Sequence, residues 1–281
     1  MIERLRITVL ADDCVAAPNL LAEHGLSMLI EADERRILFD TGQGRVLDRN
    51  ADALGIRLAG LDAVVLSHGH YDHTGGLPIL LRGCPPPTIF VHPAALQPKY
   101  AKSDSSPHRS IGIPEPSRQA LKAIRDRVVW TEAVTEVVPG VWCTGEIPRM
   151  GANGASETGF FLDSDCREPD PLADDQALFV ETRNGLVVIA GCAHAGIANT
   201  LDRVAILTGR TEVFAIAGGL HLWRASLQEI EANANAIAAR KSQILGPCHC
   251  TGMDAQSYLR VRFHSFVRDI GVGTELEFRE A

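Results

Sequence analysis

Short apolar runs recur along the chain, some alternating with polar positions and some unbroken, with stretches of helical spacing between them. Arg4 to Leu10 alternates, which predicts a half-buried strand, and Leu26 to Ala32 and Arg36 to Phe39 flank a charged turn, which predicts a hairpin meander. Val46 to Leu54 has helical spacing. The unbroken run Leu61 to Leu66 ends in the strand-like stem Ala63-Val64-Val65-Leu66. Pro78 to Leu81 then begins a helix, Pro85-Pro86-Pro87 stops it, and Thr88 to Val91 is the next strand. A helix is expected over Arg118 to Arg127, and a strand pair bent at Pro139-Gly140 over Glu136 to Thr144.

The second half repeats this logic. Ala177 to Thr182 and Leu186 to Ala190 flank Asn184-Gly185, the signal of a type I′ hairpin. A helix (Ile197 to Leu207), a buried strand (Val213 to Ala217), a helix (Ser226 to Arg240) and a strand (Gln243 to Leu245) follow. Residues 101–117, polar and rich in Ser and Pro, are expected to form an excursion or lid, whereas 148–175 carry no clear period. Strand clusters interleaved with helices in both halves imply an α/β protein with two sheets packed face to face and helices outside. No linker divides the halves, so residues 1–281 are expected to form a single domain.

With 281 residues and 46% hydrophobic content the chain can bury a sizeable core. It has no apolar stretch of membrane-spanning length, and its opening Met-Ile-Glu-Arg-Leu-Arg-Ile is too charged and short to begin a signal peptide. The 7 cysteines are odd in number and irregularly spaced, which argues for reduced thiols and a cytoplasmic setting. A net charge of -8 without a basic block argues against a nucleic-acid surface, and no membrane partner is expected. The three tryptophans, Trp130, Trp142 and Trp223, are expected in the core.

Directly after the Leu61 to Leu66 run stands Ser67-His68-Gly69-His70-Tyr71-Asp72-His73-Thr74-Gly75-Gly76-Leu77. Imidazole nitrogens with a carboxylate suit zinc, iron or manganese, and the interspersed glycines give the tight backbone that crowded ligands require. One segment cannot complete a site, because a catalytic zinc usually has three protein ligands and an open water position. His194, His221 and His249 each follow an apolar strand and neighbouring glycines, which makes them ligand or catalytic candidates.

The His-x-His-x-Asp-His pattern resembles the signature of the metallo-β-lactamase superfamily. Further motifs run in order along the chain: Glu23-His24-Gly25-Leu26-Ser27, Phe39-Asp40-Thr41-Gly42, Thr144-Gly145-Glu146-Ile147-Pro148-Arg149, Asp174-Asp175-Gln176, Gly191-Cys192-Ala193-His194, Gly218-Gly219-Leu220-His221 and His249-Cys250-Thr251-Gly252. Together these are similar to the branch named for 7,8-dihydropterin-6-methyl-4-(β-D-ribofuranosyl)-aminobenzene-5′-phosphate synthase. The resemblance implies an αββα sandwich and one or two divalent metal ions, zinc first, with manganese, iron or magnesium as alternatives. It implies His68 and His70 on one ion and Asp72 and His73 on another, with His194 and His249 as further ligands.

Two departures from the wider superfamily stand out. Asp174-Asp175-Gln176 takes the place of the usual third-histidine motif, and Gly191-Cys192 that of the Gly-Asp whose carboxylate bridges the metals. Cys192 is either a thiolate ligand or a small buried residue, and His194 is the favoured substitute ligand.

Asp72 would ligate a metal and accept a proton from bound water, with His221 a second catalytic candidate. Asp40 would orient a ligand histidine or cap the turn at Thr41-Gly42. His24 and Arg149 are either surface side chains or the grip on a small anionic, phosphorylated substrate. Three functions compete: a metal-dependent hydrolase using activated water, a transferase displacing diphosphate as the branch name implies, and a non-catalytic metal-containing binding protein. The first is favoured.

Overall fold

The computed structural model describes residues 1–81, 85–102, 108–150 and 159–279. The strands in chain order are β1 (Arg4–Ala11), β2 (Ser27–Ala32), β3 (Arg35–Phe39), β4 (Ala63–Val65), β5 (Thr88–Val91), β6 (Tyr100–Ala101), β7 (Arg109–Ser110), β8 (Val128–Trp130), β9 (Thr135–Val138), β10 (Val141–Cys143), β11 (Phe160–Phe161), β12 (Ala177–Thr182), β13 (Gly185–Ala190), β14 (Ala215–Gly219), β15 (Ile244–Cys248) and β16 (Glu275–Arg279). Helices are α1 (Leu47–Ala53), α2 (Tyr71–Thr74), α3 (Leu77–Leu80), α4 (Glu115–Ala123), α5 (Ile197–Thr208), α6 (Leu227–Ala238) and α7 (Met253–Phe263). Among the described residues one sheet runs β16-β1-β2-β3-β4-β5-β8, a second runs β15-β14-β13-β12-β10-β9, and a small third runs β11-β6-β7.

Because side chains alternate across a strand, each large sheet has an inner and an outer apolar face. Ile7, Ile30, Ile37 and Phe39 of the first sheet share one core with Val141, Val180, Val187 and Ile189 of the second. On the outside, Leu29, Leu38 and Val64 pack with Leu47 of α1 and Leu121 of α4. Val188 and Ile216 pack with Leu201 of α5, Ile230 of α6 and Leu259 of α7. The architecture is therefore an αββα sandwich. Burying each such side chain is worth about 1.5–3 kcal/mol, and because Ile37 and Phe39 face one core and Leu38 the other, β3 is apolar on both faces.

Several expectations shift in detail. Val213 to Ala217 becomes Ala215–Gly219, because Gly218 and Gly219 continue the strand where no side chain fits: a Cβ on Gly218 would lie 1.9 Å from the Ala190 carbonyl oxygen. The last predicted strand runs on through Gly246-Pro247 to Cys248, and β15 is a sheet edge, where a proline is tolerated. α7 and β16 were not anticipated, although Glu275–Arg279 alternates exposed and buried positions. Two tryptophans expected in the core are about half exposed, Trp130 on the edge strand β8 and Trp223 on a loop, while Trp142 stacks on Phe179. Within the expected lid, residues 103–107 lie outside the described residues, and the flanking parts form β6 and β7. Among the described residues no helix is long and apolar enough to cross a membrane.

Topology brings the chemistry to one edge of the sandwich. β3 and β4 are parallel, as are β13, β14 and β15, so their C-terminal ends point the same way. β12 is antiparallel to β13, which places the segment before β12 at that same edge. Asp40, Ser67 to His73, Asp174 to Gln176, Cys192 to His194, His221 and His249-Cys250 all leave from there.

Candidate metal centre

Asp40 sits at the base of the site, fully buried, at the end of β3. Its Oδ2 lies 2.7 Å from Nδ1 of His73 and accepts a 2.6 Å bond from the Ser67 hydroxyl, while Oδ1 accepts from the Ser67 amide at 2.7 Å. With its hydroxyl proton donated to Asp40, Ser67 Oγ can accept from Nδ1 of His68, 2.9 Å away. Both contacts put the ring proton on Nδ1 and leave the Nε2 lone pairs of His68 and His73 facing inward. The arrangement needs a glycine at 191, where a Cβ would come within 2.1 Å of Ser67 Oγ and 3.1 Å of Asp40 Oδ2.

Two groups of donor atoms result. In the first, His68 Nε2 lies 2.9 Å from His70 Nδ1 and 3.2 Å from His194 Nε2. In the second, His73 Nε2 lies 3.2 Å from His249 Nε2, and Asp72 Oδ2 stands 3.8 Å and 3.7 Å from these two nitrogens. Cys192 Sγ joins both, 3.2 Å from His73 Nε2 and within 4.8 Å of the His68 and His194 ligand atoms. The cysteine thus stands between the two groups while His194 completes the first, so the two alternatives raised for this position are compatible.

The spacing fits a metal ion. Nitrogen ligands about 2.0–2.1 Å from a tetrahedral zinc lie about 3.3–3.4 Å from one another. Burial, reinforced by the neighbouring histidines, holds the His68 and His70 imidazoles well below their usual range, so both are neutral and offer lone pairs. Nε2 of His70 is buried with no hydrogen-bond partner among the described residues.

The second group is richer in acid. Asp13, just beyond β1, holds Nδ1 of His249 at 2.7 Å through Oδ1 and Nδ1 of His24 at 3.0 Å through Oδ2. Burial resists a charge on His249, but the neighbouring Cys250, Asp13 and Asp72 outweigh it and push the pKa up to about 9. The His24 ring, about half exposed, lies between Asp13 and Asp72, with Nε2 3.3 Å from Asp72 Oδ2. Burial raises Asp12, whose Oδ1 accepts from the His249 amide, to about 6.

A supporting layer fixes the histidine loop. Asp174 Oδ2 accepts from the Gly69 amide at 2.7 Å, and its Oδ1 meets the fully buried Lys99 ammonium at 2.9 Å. Asp175 Oδ2 accepts from the Ala195 amide, and Gln176 Nε2 donates to the Leu66 carbonyl. Phe160 packs its ring 5.0 Å from His70 and 5.6 Å from His194, and His221 lies 4.4 Å from His194. Asp40, Ala193, His221 and His249 all adopt left-handed backbone with φ of 48–59°, a strain that clusters at functional sites.

Of the residues singled out from the sequence, His24, Asp40, His68, His70, Asp72, His73, Cys192, His194, His221 and His249 meet here. Arg149 is half-buried on the segment beyond Ile147, which packs against Ala195 beside His194. Sequence reasoning missed Asp13, Lys99 and Phe160, and quoted Ser67 and Cys250 in their motifs without a role. Asp12-Asp13, a carboxylate pair just after a predicted strand, offered a signal.

The fold has known counterparts. The chain belongs to the metallo-β-lactamase superfamily, whose sequence model matches residues 21–198. It is 26% identical over 290 residues, 99% of this chain and 98% of the relative, to the 7,8-dihydropterin-6-methyl-4-(beta-D-ribofuranosyl)-aminobenzene-5′-phosphate synthase of Methanocaldococcus jannaschii. To an uncharacterized protein of the same organism it is 31% identical over 258 residues, 90% of this chain and 93% of the relative. Among solved structures, a metal-dependent hydrolase of the β-lactamase superfamily is similar with a TM-score of 0.82 at 33% identity, covering 98% of this chain and 100% of that one.

Proposed function

We propose that this chain is a metal-dependent hydrolase of a small anionic, phosphorylated substrate. The observation that carries the reading is the convergence of His68, His70 and His194 on one point and of Asp72, His73 and His249 on another, with Cys192 between them. These residues would hold one or two divalent ions, zinc first, which when bound supply a water of lowered pKa and a clamp on the substrate's oxygens. Asp72 would ligate a metal through one oxygen and accept a proton on the other, and His24, whose Nε2 lies 3.3 Å from Asp72 Oδ2 and which is half exposed, would pass that proton to solvent. His221, between His194 and the two cysteines, would act on the reaction as part of the ion's surroundings rather than by touching substrate. Arg149 would bind the substrate's phosphate through paired N–H donors. β7, whose Arg109 lies over the Tyr71 ring, would wall one side of the pocket.

A second reading has a specific observation behind it: full-length similarity to the synthase favours a transferase that joins the methyl carbon of a pterin methyl diphosphate to an arylamine, with diphosphate as the leaving group. The metal-loaded chain, given phosphoesters and a pterin diphosphate with and without an arylamine, separates the two. Turnover with water alone supports the hydrolase. Diphosphate release only in the presence of the amine supports the transferase.

A further inference from the structure

We propose that Cys192, His221 and Cys250 form a sulfur-rich ligand set that gives the centre a preference for a thiophilic divalent ion such as zinc over manganese or magnesium. The inference rests on the metal centre proposed above and deepens it by naming ligands outside the histidine motif and the class of ion they select.

Each of these residues lies two positions beyond the end of one of three successive parallel strands: Cys192 after β13, His221 after β14 and Cys250 after β15. Their Sγ and ring-nitrogen atoms all lie within 4.8 Å of one another. Both sulfurs are buried, with relative exposures of 3% and 7%, and Cys250 Sγ lies 3.7 Å from the Cys192 carbonyl oxygen. The backbone makes room for them. A Cβ at Gly219 would lie 2.6 Å from Cys250 Sγ and 2.4 Å from the Gly191 carbonyl oxygen, so the glycine is required by the close approach of sulfur and chain. His221 takes its left-handed conformation at the same place.

Two buried thiols would ordinarily behave as small apolar side chains. Here the two sulfurs converge with a ring nitrogen instead, each within 4.8 Å of the others, which is the geometry of a ligand set. Thiolates favour zinc and other soft or borderline ions, whereas carboxylate and water sites favour magnesium and manganese. Cys192 also belongs to both histidine groups, so the sulfur set is continuous with them.

The test is titration of the metal-stripped full chain with cobalt(II), read by the thiolate-to-cobalt charge-transfer absorption in the near ultraviolet. If both sulfurs ligate, Cys250→Ser and Cys192→Ser each lower the band to about half, and the double variant abolishes it. His221→Gln is expected to weaken cobalt and cadmium binding by about tenfold or more while leaving manganese binding unchanged. A band of wild-type intensity in the Cys250 variant would overturn the proposal. So would a wild-type protein that binds cobalt at full stoichiometry with no charge-transfer band, an outcome that leaves the histidine centre standing. A chain that binds no cobalt removes both. Should the variants fail to fold, the 113Cd resonance of the wild-type chain counts thiolate ligands without a substitution: a shift in the two-thiolate range supports the set, and one in the range of nitrogen and oxygen ligands overturns it.

Discussion

Asp13 Oδ1 lies 2.7 Å from Nδ1 of His249, so a carboxylate at the end of the first sheet fixes the tautomer of a histidine at the end of the second. The contact turns Nε2 of His249 toward His73 and Cys192, and it links the two sheets across the site. Partners of this kind typically contribute 10–100-fold in metal affinity. Asp13→Ala should therefore weaken the metal that depends on His249 by about that factor, measured by competition with a chelator. Unchanged affinity would show that His249 keeps its orientation without Asp13.

Gly191 is the second lever, because it changes the site without touching a ligand. Gly191→Ala would drive a methyl group into Ser67 Oγ and toward Asp40, displacing the carboxylate that orients His73. Overpacking of this kind costs about 1–3 kcal/mol. The variant should melt at lower temperature and bind less metal. A variant with wild-type metal content would mean that the Asp40–Ser67–His68 linkage does not set the ligand geometry.

Lys99 tests the supporting layer and gives a pH dependence with a definite sign. Its ammonium is fully buried between Asp170, at 2.7 Å, and Asp174, at 2.9 Å. Burial pulls its pKa down, but Asp174 and then Asp170 outweigh burial and raise it above 10.5. For a lysine raised on folding, the stabilisation is complete below the unfolded pKa and is lost as pH climbs through the folded value. Lys99→Met leaves two buried carboxylates unpaired and should cost about 3–5 kcal/mol. The gap in unfolding free energy between wild type and variant should hold steady from neutral pH to about 10 and narrow above it. A gap that closes below pH 9 would contradict this account.

The parts of the molecule visible in the sequence were those where one element carries its own signal. Asn184-Gly185 signalled the β12–β13 hairpin, although the turn falls on Arg183-Asn184, neither at positive φ, and so is not type I′; the unbroken apolar run announced β4, and His68 to His73 announced the histidine loop because six neighbouring positions carry four donors. What stayed hidden depends on residues far apart in sequence. Asp13 and His249 are 236 positions apart, and the Lys99 clamp exists only because β6 lies beside the segment before β12. Cys250 stood in the His249-Cys250-Thr251-Gly252 motif without a role of its own until strand order set it beside Cys192. β16 was missed although its alternation is regular, since five residues at the end of a chain give little to distinguish a strand from a tail.

Catalysis separates Asp72 from Arg149. If Asp72 holds metal and takes the proton of the attacking water, Asp72→Asn should lower kcat by about 100-fold or more. Arg149→Ala should mainly raise KM, because it removes binding shared by ground and transition states. Steady-state kinetics on a substrate that the wild type turns over gives both numbers. Near-wild-type kcat in the first variant contradicts the metal-centred mechanism, and an unchanged KM in the second removes the phosphate grip.

Metal held by the two histidine groups is read by elemental analysis of the purified chain. After reconstitution with zinc, manganese or iron the wild type should carry about one to two equivalents, removable by chelator, since intact sites of this ligand class bind tightly. His194→Ala and His249→Ala should each lower that stoichiometry while circular dichroism shows the fold retained. A wild-type chain holding fewer than about 0.2 equivalents under these conditions would contradict the account.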